Sequence, residues 1–408
     1  MIRASGGGGW SCWIRGLAAF FASAACLCAA PSQAAALNQD TGDAQLLSGA
    51  VLSRYEVPRP GEEKIYQLPK GLFLVTEALR LPSNSSLQGD GPETVLKPAP
   101  QFTGSRFITN ADFERGNTDI TLSGFKVVFG VKELPGSLPG LMRFENVGRL
   151  SIHDITIEAD TKYFCIDLSA AARKATIRSC RIVNQGSGGC IQVRNRLSRP
   201  DRGSSEIVIS GNLVASAVDE PIAAFGWLGT LSRVIVEDNT VNASGAAFGI
   251  TAYGIDSTTH TGHLDHVAIL GNVVTGSRNG AIAAKGGARR VQIRDNRIRQ
   301  TLNDGIFIDS GGAGLPAVHS VDVSGNTIED AGRHGVYARG QAVSIRNNWI
   351  LRSRGAGIFI SGKGGGRVDA LNNRISAAGR SIIIYGTVLG NIEGNHPSTP
   401  LDILRLEE

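Results

Sequence analysis

The sequence predicts an all-β fold: a single right-handed parallel β-helix of roughly ten to thirteen rungs, where a rung is one turn of a coil of strands. Two observations lead to this prediction. A segment of the form V-x-I-x-x-N recurs from the middle of the chain to near its end, and each copy is followed by a second segment of alternating apolar residues. Alternation is typical of strands with one buried face. Because no helical periodicity separates the segments, we expect parallel strands to stack in the right-handed sense that parallel crossovers favour.

The first repeated segment ends on an asparagine in its clearest copies. These copies end at Asn212, Asn239, Asn272, Asn296, Asn326, Asn348 and Asn373, and a shortened copy ends at Asn395. Asparagine tolerates the left-handed backbone of a sharp corner, and stacked amides hydrogen-bond from one rung to the next. We therefore expect these residues to form the corners and to stack in a ladder.

The second repeated segment has the form G-I-x-V-x, in which the two apolar side chains face the core and the x positions face outward. Its copies begin at Cys165, Cys190, Pro221, Gly249, Ala281, Gly305, Gly335, Gly357 and Ser381. The spacing ranges from 22 residues, between Gly335 and Gly357, to 32 residues, between Gly249 and Ala281. Equivalent outward residues should therefore stack in columns, about 4.8 Å apart.

The N-terminal region predicts export. Arg3 and Arg15 precede or flank an apolar stretch over residues 16–30, which is followed by small residues at a cleavage position, the pattern of a signal peptide. The predicted bounds are 1–34 for the signal peptide, 35–60 for an N-terminal linker or cap, 61–397 for the β-helix and 398–408 for a C-terminal tail. The mature protein is then periplasmic or secreted, with a lipoprotein modified at Cys26 as the alternative.

Charge and hydropathy restrict the partners. The 408-residue chain has a formal net charge of +5 at pH 7 and no run of Lys and Arg, so nucleic acid is not an expected partner. No apolar segment long enough to span a bilayer follows the leader, so we expect no membrane span. We expect a monomer.

Three cysteines follow the leader: Cys165, Cys180 and Cys190. Cys165 and Cys190 occupy the same position on adjacent rungs, where either a disulfide or two packed thiols would fit. No spacing of Cys and His typical of zinc is present. We therefore expect no metal and no cofactor, and Ca²⁺ is left open without a motif to support it.

The first rungs of the predicted coil resemble a known superfamily. Residues 65–75, 81–91 and 94–96 are similar to the first rung of the pectate-lyase-like superfamily of right-handed β-helix proteins, and 117–125 resembles the next rung. The resemblance extends over roughly residues 60–397. It implies the coil and an activity on polysaccharides, but not which one, because this fold hosts lyases, hydrolases, epimerases and phage depolymerases.

Charged and aromatic residues converge on one outer face of the predicted coil. The candidate catalytic residues are Tyr253, Lys285, Asp304, Asp309, His334 and Arg339. Lys285, Asp309 and Arg339 fall on three consecutive rungs at one position, and we expect Asp304 to orient and polarise His334. A cation beside a base and an acid suits proton abstraction next to a carboxylate, the chemistry of lyases and C5-epimerases. The alternative is a ladder of ion pairs on a solvated sheet.

The same face offers groups that suit a polysaccharide. The candidate substrate-binding residues are Arg194, Asp219, Glu220, Phe225, Asp256 and Tyr337. Aromatic planes suit sugar faces, polar groups suit hydroxyls, and cations suit uronate carboxylates. The run from Tyr253 to Asp256 also resembles the first half of the Tyr-Gly-x-Asp-Pro-His run of alginate epimerases.

Two acidic turns partly resemble the turns of polygalacturonases. Asp304 is followed one rung later by His334, but Asn303 and Arg333 stand where that pattern has Asp and Gly. Glu220 and Asp304 lie three rungs, about 14 Å, apart, which is beyond the roughly 5–9.5 Å that glycosidases use. Asp219 beside Glu220 would fit only if both turn toward the groove.

The sequence therefore predicts an exported carbohydrate-active protein that acts on an acidic polysaccharide by lyase or C5-epimerase chemistry. One alternative is a non-catalytic glycan-binding or structural β-solenoid of the cell envelope. The second alternative is a polygalacturonase-like glycoside hydrolase.

Overall fold

The computed structural model describes most of the chain. The described residues are 44–58, 63–131, 133–135, 140–195, 203–227, 229–254, 256–257, 260–309, 316–363, 366–376, 378–397 and 403–407. The predicted signal peptide, residues 1–34, lies outside them, so export stays a prediction.

Each turn of the chain adds one strand to each of three sheets, as predicted for a right-handed parallel β-helix. Sheet 1 has 14 strands: Glu56–Val57, Lys64–Leu68, Ser85–Gly89, Asn117–Ser123, Val147–His153, Arg173–Arg178, Ser204–Ser210, Thr230–Glu237, His263–Leu270, Arg289–Arg294, His319–Ser324, Gln341–Arg346, Val368–Leu371 and Ile392–Glu393. Sheet 2 has 14 strands: Gln45–Leu47, Gly71–Val75, Thr94–Pro98, Lys126–Phe129, Thr156–Ala159, Arg181–Asn184, Leu213–Ser216, Thr240–Asn242, Val273–Thr275, Arg297–Thr301, Thr327–Ala331, Trp349–Leu351, Arg374–Ser376 and His396–Pro397. Sheet 3 has 13 strands: Leu79–Leu81, Arg106–Asn110, Gly140–Glu145, Ile166–Ala170, Ile191–Arg194, Ile222–Gly226, Phe248–Gly254, Gly280–Lys285, Asp304–Asp309, Val336–Ala338, Ala356–Ser361, Arg380–Tyr385 and Ile403–Leu406. The predicted fold class is confirmed.

A few short elements complete the described chain. They are the helix Gly49–Leu52, the 3₁₀ turn Ser53–Tyr55, and an antiparallel pair formed by Asp256–Ser257 and His260–Thr261. Strands Gln45–Leu47 and Ile403–Leu406 pair within sheets 2 and 3, so the coil extends past both ends of the predicted range 61–397. The helices within the described ranges are too short to cross a bilayer.

The interior of the coil is apolar because alternation places every second side chain there. In sheet 1, Ile207 lies opposite Val234, which lies opposite Val267, and their exposed fractions are 0%, 0% and 1%. Burying one such side chain contributes about 1.5–3 kcal/mol. Because the same contact recurs on successive rungs, each rung is stabilised mainly by its two neighbours.

The predicted asparagine ladder is present. From Asn212 to Asn373, each side-chain amide donates to the Oδ1 atom of the next asparagine at 2.9–3.0 Å. The backbone N–H of each donates to the same oxygen, as from Asn296 to Asn326 at 3.0 Å. The ladder satisfies buried backbone donors at the corner between sheets 1 and 2.

The predicted backbone role of these asparagines is wrong. The left-handed conformation belongs to the residue before each ladder asparagine, as in Asp238 (φ 54°), Asp295 (φ 56°) and Gly271 (φ 62°). These positions carry Asp, Asn or Gly, the residue types that tolerate positive φ most readily. The corner thus divides two tasks between adjacent residues: the first turns the chain and the second bonds to the next rung.

The cysteines are free and buried in the core. Cys165, Cys180 and Cys190 form no disulfide. Burial raises the pKa of the Cys190 thiol to about 12 and that of Cys180 to about 11. The arrangement is therefore that of packed, unreactive thiols.

Candidate functional site

The predicted outward columns of sheet 3 are present in register. Arg194 lies opposite Phe225, Phe225 opposite Tyr253, Tyr253 opposite Lys285, and Lys285 opposite Asp309. Five of the sequence-predicted site residues therefore form one column at the ends of these strands. The alternation that predicts the strands also fixes this register.

The chemistry changes along this face, which falls into three regions. The charged half contains Arg106, Arg143, Glu145, Asp167 and Arg194. The centre contains Asp219, Glu220, Phe248, Tyr253 and Lys285. The aromatic half contains Phe307, His334, Tyr337 and Phe359.

Two adjacent carboxyl groups in the centre interact directly. The backbone N–H of Glu220 donates to an Asp219 carboxylate oxygen at 2.9 Å, and the two side chains are hydrogen-bonded. Burial, and then this hydrogen bond, raise the pKa of Glu220 to about 8, against an opposing attraction from Lys285. Glu220 is therefore a protonated acid at neutral pH, with a second carboxyl group beside it.

Lys285 lies between two aromatic rings. Its Nζ atom is 4.2 Å from the centre of the Phe248 ring and 4.8 Å from that of Tyr253. Burial lowers the pKa of Lys285, and attraction to Glu220 opposes the shift. Lys285 thus releases its proton at a lower pH than an exposed lysine does, which suits proton transfer.

The aromatic half is a continuous stack on successive rungs. The Phe307 and Tyr337 rings are 5.2 Å apart and 14° from parallel, and the Tyr337 and Phe359 rings are 5.4 Å apart and 6° from parallel. Gly280 makes room at one end, because a Cβ atom there would lie 3.1 Å from the Phe307 Cβ atom and 3.4 Å from the Phe248 ring. All three stacked rings are partly exposed, as a platform for sugar faces requires.

His334 joins the aromatic stack as a neutral ring. It lies over Phe359, with ring centres 4.7 Å apart and planes 24° from parallel. The Ala356 backbone N–H donates to His334 Nδ1 at 3.0 Å. Burial, and then the charge of Arg333, lower the pKa of His334 to about 4. With Nδ1 accepting a hydrogen bond, the neutral ring carries its proton on Nε2.

Asp304 does not orient the imidazole as the sequence predicted. Its Oδ1 atom accepts hydrogen bonds from Arg333 Nε at 2.9 Å and from the His334 backbone N–H at 3.2 Å, and its Oδ2 atom pairs with Arg333 Nη2. Burial raises the pKa of Asp304, and Arg333 opposes that shift. The neighbouring arginine reaches the buried carboxylate in place of the ring, because it compensates the charge more fully.

Asp309 and Arg339 form an ion pair. Arg339 Nη1 lies 3.4 Å from Asp309 Oδ1, and Arg339 Nε donates to the Lys363 carbonyl at 3.1 Å. Both side chains are partly exposed. At this end of the column the structure therefore has the alternative arrangement, in which ion pairs line a solvated sheet. Such pairs contribute little to stability.

The charged half was missed by the sequence analysis, except for Arg194. Arg143 Nε donates to Glu145 at 2.8 Å, and Arg194 donates to Asp167 at 2.6 Å. Arg143 and Asp167 are 3.5 Å apart, and Arg106 lies 3.8 Å from Glu145. Three guanidinium groups therefore face two carboxylates in a nearly buried cluster.

A sequence signal for the charged half did exist. Arg143 lies opposite Asp167, in the column of outward residues at the middle of the strands. Extending the repeat by one rung before Cys165 would therefore have located it. That rung does not have the G-I-x-V-x form, since it reads from Gly140 through Leu141 and Met142.

Phe225 and Asp256 are the remaining residues predicted to bind substrate. Phe225 packs edge-on against Tyr253, with ring centres 6.0 Å apart. Asp256 lies in the short antiparallel pair, and its side chain falls outside the described residues. Among the side chains that the structure describes, no group of three or more His, Cys, Asp or Glu is arranged to hold a metal ion.

Three parallel sheets and stacked side-chain columns define a right-handed parallel β-helix protein. Residues 232–396 match the family described as right handed beta helix region. The chain therefore has the right-handed parallel β-helix fold, and the match over residues 232–396 assigns no subfamily. No protein with a curated description matches the sequence significantly.

Several solved structures are similar in fold. The catalytic unit of an α-1,3-glucanase from Streptomyces thermodiastaticus aligns with a TM-score of 0.68 at 13% identity, over 90% of this chain and 70% of that one. The surface adhesin PfbA of Streptococcus pneumoniae aligns with a TM-score of 0.57 at 13% identity, over 89% and 100%. A mutant tailspike protein of E. coli bacteriophage HK620, in complex with a pentasaccharide, aligns with a TM-score of 0.51 at 13% identity, over 85% and 70%.

Proposed function

We propose that the outer face of sheet 3 binds an acidic polysaccharide and that its centre performs proton-transfer chemistry on a uronate residue. The observation that carries this proposal is the contact between Asp219 and Glu220, where the pKa of Glu220 is raised to about 8, near Lys285, whose pKa is lowered. This pair lies between a region of arginines and a region of stacked rings. Fold neighbours that act on a glucan or hold a pentasaccharide support a carbohydrate ligand.

The direction of each pKa shift suggests the roles, because a raised pKa suits an acid and a lowered pKa suits a base. In a lyase reaction, the free amine of Lys285 removes the C5 proton, and the electron pair of that C–H bond forms the C4–C5 double bond. The bond from C4 to the glycosidic oxygen breaks, and Glu220 donates its proton to the leaving oxygen. The proton that Lys285 has taken up then returns to Glu220, directly or through water, so both groups are restored for the next turnover.

Epimerisation requires the same first step. After Lys285 removes the C5 proton, an acid returns a proton to C5 from the opposite face of the sugar, and no bond to the leaving group breaks. Both reactions need a base at C5; elimination adds an acid at the leaving oxygen on C4 and epimerisation an acid at C5, so a base and an acid at one site suit either.

The binding roles fall on the flanking regions. Arg194 retains some exposure beside Asp167 and suits the carboxylate of a neighbouring uronate. Tyr337 and Phe359 offer flat surfaces for sugar rings. Asp304 and Asp309 are each paired with an arginine, so we assign them to holding the groove rather than to the reaction.

The experiment is incubation of the full chain with polygalacturonate and alginate. Formation of unsaturated uronates reports a lyase, deuterium uptake at C5 reports an epimerase, and new saturated reducing ends report a hydrolase. Glu220→Gln and Lys285→Met should each lower the rate by about 10²–10⁴-fold. The matched control is the Lys126–Glu158 pair of sheet 2, whose atoms are 2.7 Å apart: Glu158→Gln and Lys126→Met should change nothing.

A specific observation also favours binding without turnover. Two of the predicted catalytic groups are held by protein partners: His334 Nδ1 accepts a hydrogen bond from Ala356, and the Asp304 carboxylate pairs with Arg333. If acidic glycans bind but none of the three products forms over a broad panel, the chain is a glycan-binding β-solenoid and the enzyme proposal fails.

A further inference from the structure

Two adjoining cavities lie where the chain enters sheet 1 from sheet 3, across that turn from the outer face of sheet 3 described above. One has a volume of about 440 Å³ and the other about 260 Å³, and Arg173 lines both. Together they run along five consecutive strands of sheet 1, from Asn117–Ser123 to Thr230–Glu237. At one strand spacing per rung, the groove is about 19 Å long.

Small residues form the floor of the groove on both sides of Arg173. Gly148 lies opposite Arg173, Arg173 opposite Ser205, and Ser205 opposite Ser232. A Cβ atom on Gly148 would have its nearest contact at 3.4 Å, with the Thr118 side chain. Hydroxyl groups and a bare backbone thus lie under a ligand that runs along the coil.

A repeated backbone feature brings the rim to the surface. Lys174, Glu206 and Arg233 follow the floor residues and have φ values of 56°, 61° and 53°. This left-handed step interrupts the alternation, so Arg173 and Lys174, two successive residues, are both exposed. Each strand therefore presents two neighbouring columns of side chains to solvent, where strict alternation would present one.

The rim has an excess of positive charge. Arg233 pairs with Glu206 at 2.8 Å. Arg115, Arg173 and Lys174 also line the cavities, and within the described ranges no carboxylate pairs with any of them. Among the described lining residues, four cations thus accompany one carboxylate beside a floor that carries hydroxyl groups.

We infer that this groove is a second binding site, for a linear carboxylated glycan. Carboxylates suit the unpaired guanidinium and ammonium groups, and sugar hydroxyls suit the Ser and Thr floor. The described residues that line the cavities include no aromatic residue on which a nucleic acid base would stack and no large exposed apolar side chain for a lipid. The inference does not depend on the proposed chemistry at Glu220.

The experiment compares Arg173→Gln/Lys174→Gln with Arg181→Gln/Arg374→Gln, which removes two exposed arginines from sheet 2. The probe is an oligogalacturonate, titrated calorimetrically into the full chain carrying Glu220→Gln to prevent turnover. We expect the parent to bind two equivalents, the groove variant one, and the sheet 2 control two. A carboxyl-reduced oligomer should not bind at the groove.

Unchanged stoichiometry in the groove variant, or equal binding of the carboxyl-reduced oligomer at the groove, overturns the inference. Tighter binding of single-stranded DNA or of anionic lipid vesicles at Arg173 and Lys174 overturns it as well. If the parent binds one equivalent and the groove variant none, the second site stands and the binding proposed for sheet 3 fails. If the parent chain without Glu220→Gln forms no product, the titration still tests the groove, because it measures binding alone.

Discussion

The backbone N–H of Glu220 donates to the carboxylate of Asp219 at 2.9 Å, and their side chains are hydrogen-bonded as well. Ionising both of two acids this close in a partly buried site is unfavourable in free energy. The proton they retain is what makes Glu220 an acid at neutral pH. It also makes the stability of the fold depend on pH in a predictable direction.

We predict that Glu220→Gln changes stability in alkaline but not in acidic solution. The pKa of Glu220 is about 8 in the folded chain against 4.5 for a freely solvated glutamate, so the folded state binds more protons between these values. Stability contributed by this group is present below the unfolded pKa and is lost as the pH rises through about 8. At about pH 9 the variant should be more stable than the parent by on the order of a few kcal/mol, and at about pH 5 the two should agree.

Urea unfolding at the two pH values measures this effect. Glu158→Gln, which alters a half-exposed carboxylate on sheet 2, is the control and should follow the parent at both. A stability difference that is the same at both pH values would mean that Glu220 ionises normally.

The columns of sheet 3 could be predicted because the alternation of apolar residues fixes which residues of successive strands lie opposite each other. Once Ile and Val are assigned to the core, Lys285 must lie opposite Asp309, whatever the side chains do. The side-chain partner of Asp304 could not be predicted in this way, because Arg333 and His334 are adjacent in the chain and both can reach the carboxylate. Only the side-chain conformations decide that the guanidinium is the partner, and periodicity contains no information about them.

The left-handed step in sheet 1 was also beyond the sequence analysis. Lys174, Glu206 and Arg233 are not residues that favour positive φ, so nothing in their types signals it. The step recurs because each rung templates the next through parallel pairing. The second groove depends on this step, which explains why only the sheet 3 face was predicted.

We predict that Asn296→Ala destabilises the coil strongly. Its Oδ1 atom accepts from the backbone and side chain of Asn272 at 2.9 and 3.0 Å, and its Nδ2 atom donates to the Ile269 carbonyl at 2.8 Å. Each buried group left without a partner costs about 1–3 kcal/mol, so the total should exceed ~2 kcal/mol. Asn303→Ala removes a partly exposed amide with one hydrogen bond, to Arg278, and should cost less than ~1 kcal/mol.

Thermal unfolding of the two asparagine variants tests the ladder. Equal losses for Asn296→Ala and Asn303→Ala would contradict a stabilising role for the buried amides.

We predict that Tyr337→Ala weakens both the fold and glycan binding. Tyr337 stacks on Phe307 at 5.2 Å and on Phe359 at 5.4 Å, and each aromatic pair is worth about 0.5–1.5 kcal/mol beyond area burial. Removing both should lower the free energy of unfolding by ~1–3 kcal/mol and reduce affinity for oligosaccharides. Tyr337→Phe keeps the stack and should retain both properties; if it loses binding as fully as the alanine variant, the hydroxyl rather than the ring plane is the contact. Calorimetry and urea unfolding give the two readouts.

Arg143 lies at the centre of the buried ion-pair cluster in the charged half. The side chain of Arg143 is 2% exposed and contacts Glu145 at 2.8 Å and Asp167 at 3.5 Å. Removing one partner of a buried ion pair leaves uncompensated charge and costs about 3–5 kcal/mol. Arg143→Met, which preserves much of the volume, should therefore destabilise the chain by that amount. Arg149→Met is the matched control, because the Arg149 side chain is 60% exposed beside Asp119, and exposed pairs contribute only ~0–1 kcal/mol.

The comparison also separates charge from packing. If Arg143→Met costs no more than Arg149→Met in urea unfolding, Glu145 and Asp167 do not depend on the guanidinium, and Arg106 and Arg194 suffice for them. If the large loss is found, raising the salt concentration should reduce the smaller Arg149 effect but leave the Arg143 effect nearly unchanged, because ions screen exposed pairs far more than buried ones.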